Sequence, residues 1–233
     1  MLLLPANLDG CSSGGEHPHR LSSGSRTAGR PVYARPVIWT FDYPLQTERL
    51  NLRPHTIADL YDLAVFHGDP DVTRYMPWPV RDREQVRAAL VAKIPQISAS
   101  TTGEWIVLAV EERRSRTVIG EVLLKRESDC VAEVGYAFAT QAQGKGLATE
   151  AVVHLMDVSQ RELGITTFDA VIEEPNVASA RLLARAGFVP APSTEPGLLS
   201  FQRTVTHPMA STTPHPGHKT TAGTAAPPER WTP

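Results

Sequence analysis

Cysteine is nearly absent from this 233-residue chain, where Cys11 and Cys130 are the only two. They stand far apart, with no C-x-x-C spacing and no disulfide framework, which excludes a small disulfide-stapled scaffold and points to a reducing, cytoplasmic setting. Long apolar runs are lacking as well. None approaches the roughly 20 residues of a spanning helix, so no membrane partner is expected. Charge of one sign is missing too: the formal net charge is −2, which leaves no electrostatic footprint for nucleic acid. Any phosphate site must therefore be local. The opening "MLLLPANLDG" has only a short apolar run, broken by Pro5, and no positive n-region, so no secretory leader is expected.

What is present is a body of ordinary composition between two polar ends. Residues 1–44 are dominated by Ser, Gly, Arg, His and Pro, and residues 207–233 by Pro, Thr and His. Neither end offers enough apolar surface to offset its ordering entropy, so both are expected as disordered tails around a folded domain over 45–206. Cys11, His17, His19, His207, His215 and His218 all fall in these tails at spacings that fit no closed zinc site, and no metal is assigned.

Within the body, "TERLNLRP" sets Leu50 and Leu52 on one face of a strand that Pro54 ends. Two helices follow. Thr56 caps the first, with Ile57, Leu60, Leu63 and Ala64 at helical spacing before Gly68; Asp82 and Gln85 open the second with a capping box, ahead of Val86, Ala89, Leu90 and Ile94. "EWIVLAVEE" and "TVIGEVLLKR" read as a hairpin, and "VAEVGYAFA" as a third strand leading into "TQAQGKGLATEAV". A helix starting after Gly146 closes at Gly164; then come a strand over 167–174, a helix from Val177 to Ala186 and a strand over 198–205. The expected class is α+β, a mixed, mostly antiparallel sheet flanked by helices.

The glycine loop is tested against known anion loops residue by residue. A dinucleotide fingerprint needs a small residue where Thr149 stands, and a P-loop needs a hydroxyl residue after the lysine, where Gly146 stands. What remains is Gln141-x-x-Gly144-x-Gly146 opening a helix, a place where unpaired N–H groups and a partial positive charge suit a pyrophosphate. Alone, such a loop reads more readily as a plain turn between strand and helix.

With "EVGYAF" before it and "NVASARLLARAGF" after it, the loop resembles the GNAT superfamily of acetyl-CoA-dependent N-acetyltransferases, closest to the branch of ribosomal-protein N-terminal acetyltransferases. "TERLNLRP" resembles that branch's first strand, so the likeness spans residues 45–206. It implies acetyl-CoA as cosubstrate, held by main-chain amides of Gln143, Gly144, Lys145, Gly146, Leu147 and Ala148, with Gln141 in the motif. Gln143 stands where the family often has a basic residue. The likeness also implies that main-chain groups of Val134, Gly135, Tyr136 and Ala137 meet the pantetheine arm and the thioester carbonyl.

Acetyl transfer needs a neutral amine, so a base or a dry pocket has to remove a proton. Glu133 is the candidate base, sharing a strand face with Gly135 and Ala137, and a solvated strand glutamate is the competing reading. Asn176 matches an asparagine that touches the cofactor arm and is equally an N-cap. The tyrosine that often protonates the thiolate is replaced by Leu183, and Ser179, which matches a serine of the ribosomal branch, takes that role; a first-turn serine bonding its own backbone is the alternative. Tyr136 alternates to the face opposite Glu133, where packing is expected. "DPDVTRYMPWP" is expected to form part of the acceptor wall. The expected acceptor is a protein N-terminal amine, with a small-molecule amine or an inactive CoA-binding module as alternatives, in a monomer or homodimer.

Overall fold

The computed structural model describes residues 37–193 and 195–205. The expectations for residues 1–36 and 206–233 lie outside the described residues. A two-residue strand β1 (Leu45–Gln46) turns into β2 (Leu50–Pro54), and a 3-10 turn at Ile57–Asp59 leads into α1 (Leu60–His67). The short helix α2 (Pro70–Thr73) precedes α3 (Arg83–Lys93). Strands β3 (Trp105–Glu112), β4 (Val118–Arg126) and β5 (Val131–Phe138) form an antiparallel meander. Helix α4 (Leu147–Leu163) crosses to β6 (Thr167–Glu173), and α5 (Val177–Arg185), β7 (Val189–Ala191) and β8 (Leu198–Thr204) follow.

All eight strands belong to one sheet in the order β1-β2-β3-β4-β5-β6-β8-β7. Only β5 and β6 are parallel neighbours, as a crossover through a helix requires. The architecture is thus α+β and mostly antiparallel, with helices on both faces. One face carries Ile106, Leu108, Val122, Leu124, Ala132 and Val134 under α4 and α5, which contribute Leu147, Leu155, Met156 and Leu183. The other face carries Ala109, Val118 and Ala137 under Leu63 and Phe66 of α1 and Val86 and Leu90 of α3.

Local chemistry explains the boundaries. In α3 the Gln85 N–H donates to Asp82 Oδ1 and the Asp82 N–H to Gln85 Oε1, both at 2.9 Å, so two orphan donors are satisfied reciprocally. At the other end of the chain, Asn176 Oδ1 accepts from the Ser179 N–H at 3.1 Å and caps α5.

Three features depart from the sequence reading. Residues 37–44, expected there within the disordered N-terminal tail, pack through their aromatic side chains: Trp39 is fully buried, Phe41 nearly so, and Trp39 exchanges main-chain hydrogen bonds with Ala99. Aromatic side chains this large recover their ordering cost even in a polar, proline-rich stretch. Secondly, α2 has four residues and β7 three, too few to show a period. Finally, Cys130, which the sequence kept out of any disulfide framework, is not free in the structure, and Cys11 lies outside the described residues.

Candidate active site

The glycine loop joins the end of β5 to the start of α4. Gly144 (φ 73°) and Gly146 (φ 76°) both adopt left-handed backbone, which L side chains rarely tolerate, and this is what fixes glycine at both positions. Gln141 lies exposed in a 3-10 turn (Thr140–Ala142), Lys145 is exposed, Leu147 is buried beneath the loop and Ala148 is half-buried. The Gln143 N–H is already given to Thr140 O at 3.1 Å, and its side-chain amide donates to Phe138 O at 3.2 Å. Gln143 is therefore a brace of the loop, and the amides open to an anion begin at Gly144. The first intrahelical bond of α4 is Glu150 N–H to Gly146 O, which leaves the N–H groups of Leu147, Ala148 and Thr149 at the orphan end of the helix.

Next to this loop the sheet divides. Strands β5 and β6 pair only at Val131↔Thr167, Ala132↔Phe168 and Glu133↔Asp169. Beyond that point β5 runs on to Phe138 along β4, while β6 continues against β8. Ladder alternation tells which main-chain groups face the gap. Ala139 N–H donates to Ile119 O, so the odd residues of β5 bond to β4 and the even ones face β6. Gly135 and Ala137 thus spend their main-chain groups inside the sheet. The Val134 carbonyl and both main-chain groups of Tyr136 have no strand opposite them. Of the four residues expected to offer main-chain groups, Val134 and Tyr136 are the two with groups facing away from β4.

On the face toward α1 and α3, Glu133 stands at the mouth of the division. Lys125 Nζ lies 3.4 Å from Glu133 Oε2 and 2.7 Å from Glu127 Oε1. Burial pushes the Glu133 carboxyl above its ordinary value; Lys125 opposes this, and the neighbouring charges of Glu127 and Asp169 add to the rise. Asp169 is also raised by burial, against a 2.9 Å hydrogen bond from Gln202. A Cβ at Gly135 would meet only Leu123, at 3.6 Å, so the missing side chain leaves room beside Glu133.

On the opposite face, Tyr136 packs with the core under α5 and its hydroxyl donates to Ser179 O at 3.3 Å. Burial pushes this phenol up to about 12, so it holds its proton at neutral pH. Ser179 is half-buried on the first turn of α5, and its N–H serves the Asn176 cap. Strand β5 lies between Glu133 and Ser179. Leu183 is fully buried in the core.

The segment over residues 69–79, expected from the sequence at the acceptor wall, is held from both ends. Asp69 caps α2 by accepting from the Asp71 N–H at 2.9 Å, and its other oxygen accepts from Thr140 Oγ1 at 2.6 Å, at the root of the glycine loop. Trp78 stacks on His67 with ring centroids 5.6 Å apart, and the cations of Arg81 and Lys93 lie 4.9 and 5.5 Å from its ring centroid. Beneath it Lys93 Nζ pairs with the fully buried Glu121 at 2.6 Å, and His67 Nε2 and His55 Nε2 approach the same carboxylate at 3.4 and 3.6 Å.

The sequence and the fold both match known proteins. A profile of the acetyltransferase (GNAT) domain matches residues 49–189. The chain belongs to the GNAT acetyltransferase family. It is 32% identical over 148 residues to the uncharacterized N-acetyltransferase p20 of Bacillus licheniformis, a match covering 62% of this chain and 81% of that protein. Among solved structures, a GNAT-family acetyltransferase from Bacillus anthracis superposes with a TM-score of 0.61 at 18% identity, over 68% of this chain and 96% of that one. The ribosomal L7/L12 alpha-N-protein acetyltransferase RimL, solved with coenzyme A, gives 0.57 at 18% identity over 68% and 96% of the two chains.

As a GNAT acetyltransferase the protein takes acetyl-CoA as its cosubstrate. Among the described residues no helix is long and apolar enough to cross a membrane. The acetyltransferase also has a groove of about 730 Å³ running from Gly146 along α4 past Thr149, Val153 and His154 to Arg185. Its lining includes the carboxylates of Glu48, Glu150 and Asp157 together with the cation of Arg185. The Glu121 cluster, the Asp69–Thr140 link and the contacts of Arg49 with the loop escaped the sequence reading. Their partners lie 28 to 101 residues apart, beyond any local pattern.

Proposed function

We propose that this acetyltransferase modifies a protein N-terminal amine by direct attack on acetyl-CoA in a ternary complex. The observation that carries the reading is the parting of β5 from β6 after Glu133↔Asp169, with unpaired main-chain groups next to an open glycine loop. The loop amides from Gly144 to Thr149 suit the pyrophosphate of coenzyme A. The Val134 carbonyl and the Tyr136 groups suit the pantetheine amides, which would add to β5 as a strand does, and the Tyr136 N–H suits the thioester oxygen as it gains charge.

Glu133 and Ser179 flank that position from the two faces of β5. Glu133 takes a proton from the attacking amine; its raised carboxyl brings it nearer the working range of a base. The nitrogen forms its bond to the acetyl carbon, the carbon–sulfur bond breaks, and the thiolate takes a proton from the Ser179 side. Asn176 caps α5 and holds Ser179 in place. The N-terminal acceptor is supported by the structural likeness to RimL, described as an alpha-N-protein acetyltransferase.

The test is thiol release from acetyl-CoA by the full chain against a panel of N-terminal peptides, polyamines and amine antibiotics. Turnover on peptides with a free α-amine, abolished by blocking that amine, supports the assignment. Turnover confined to small amines moves the acceptor class. CoA binding without turnover on any amine rejects catalysis.

A further inference from the structure

The start of β2 reaches across to the glycine loop through a single arginine. Arg49 Nη1 donates to Lys145 O at 3.1 Å, while its Nε and Nη2 both reach Glu150 Oε2 at 2.6 Å. Glu150 Oε1 accepts from the Arg49 N–H at 3.1 Å and from Thr47 Oγ1 at 2.5 Å. The turn that carries Thr47 and Arg49 is itself held: Arg113 Nη1 donates to Thr47 O at 2.9 Å, and the Arg113 N–H donates to Arg49 O at 2.9 Å. The guanidinium sits under the loop, its Nη2 3.7 Å from where a Cβ on Gly146 would stand.

These contacts determine which way the loop faces. In a trans peptide the C=O and the following N–H point in opposite directions. Tying Lys145 O down to Arg49 therefore turns the Gly146 N–H outward, away from the protein. Glu150 lies in the first turn of α4, where its charge suits the helix but would repel an arriving phosphate. Arg49 neutralises it.

We propose that Arg49, with Glu150 and Thr47, is a positioning device for the acetyl-CoA loop: it aims the Gly146 N–H at the pyrophosphate and cancels the carboxylate on the first turn of α4. This rests on the loop being the coenzyme A site. It also supplies a cation at the loop whose usual basic residue is replaced by Gln143, through a residue 101 positions before Glu150.

The test is calorimetric titration of the full chain with coenzyme A, which needs no acceptor. Arg49→Ala should raise the Kd about tenfold, the loss of a charge-assisted contact together with an uncovered carboxylate. Adding Glu150→Gln should recover part of that loss, because the repelling charge is gone. A purely structural role predicts a lower melting temperature with unchanged Kd in both variants, and that result overturns the proposal. Absence of binding by the wild-type chain instead rejects the loop as the coenzyme A site.

Discussion

Glu133 and Asp169 are the last facing pair of β5 and β6 before the two strands part. The relationship joins structure to chemistry. The pair closes the ladder at the point where the main chain of β5 becomes open; burial raises both carboxyls, and the charge of Asp169 adds to the rise at Glu133. A base at that position stands at the edge of the division and not within the sheet.

Replacement of Glu133 by Gln should lower turnover by about 10²- to 10⁴-fold, the range of a positioned base, and leave coenzyme A binding intact. The sign of the pH effect follows from the raised carboxyl. The wild-type rate should fall as the pH drops through a value above the ordinary one for glutamate, and the variant should lack that limb. A group raised in the fold stabilises in its protonated form, and this contribution is lost as pH rises through the folded value. At pH 7 the variant should therefore unfold no more easily than the wild type. Undiminished turnover would remove Glu133 from the chemistry.

Ser179 allows a clean separation of roles. Both of its contacts, the N–H to Asn176 Oδ1 and the carbonyl from Tyr136, belong to the main chain. Alanine removes only the hydroxyl, so stability should stay within about 0.5 kcal/mol while turnover falls. Steady-state kinetics alongside urea unfolding checks both halves. Equal turnover would return Ser179 to its capping duty and leave the Tyr136 hydroxyl, which donates to Ser179 O from β5, as the proton source to examine.

Trp39 tests where the folded unit begins. It is fully buried, bridges to Ala99 and lies under the Arg126 guanidinium, 5.3 Å from the ring. Its replacement by alanine should cost about 3–5 kcal/mol in chemical denaturation, as for large buried aromatics generally. A cost below about 1 kcal/mol would show that the domain stands without this segment.

The strands and helices of the body were legible because period, caps and turn residues agree there: Leu50 and Leu52 alternate, Asp82 and Gln85 box α3, and Gly164 ends α4 in left-handed backbone. The loop was legible because two left-handed positions in close succession call for glycine. What escaped has one physical cause. Trp39 on Ala99, Arg49 on Glu150 and Asp69 on Thr140 are long-range contacts whose members are ordinary residues until the fold brings them together. The choice of Tyr136 and Val134 over Gly135 and Ala137 likewise needed the ladder register, which composition and alternation do not carry.

Glu121 offers the sharpest prediction about stability. Burial alone would push its carboxyl up, but Lys93, His55 and His67 outweigh burial and hold it well below the usual carboxylate range. A carboxylate lowered in this way stabilises the fold above its unfolded pKa, and the contribution is lost as pH falls through the lower folded value. His55 has the opposite sign. Burial pushes it down, but Asp59 and Glu121 outweigh that and raise it, so its contribution is present at low pH and lost as pH rises through the raised value. Glu121→Gln keeps the shape and removes the charge, leaving the half-buried Lys93 without its partner, at a cost of about 3 kcal/mol at pH 7. Unfolding free energies from about pH 2 to pH 9 should show the wild type losing its advantage over the variant below the ordinary carboxylate value, and the alkaline loss due to His55 should shrink with its partner gone. Because Trp78 stacks on His67 directly above this cluster, the variant should also raise the acceptor KM more than that of acetyl-CoA. Two pH profiles that run parallel over the whole range would show that the buried charge does not set the stability of the acceptor wall.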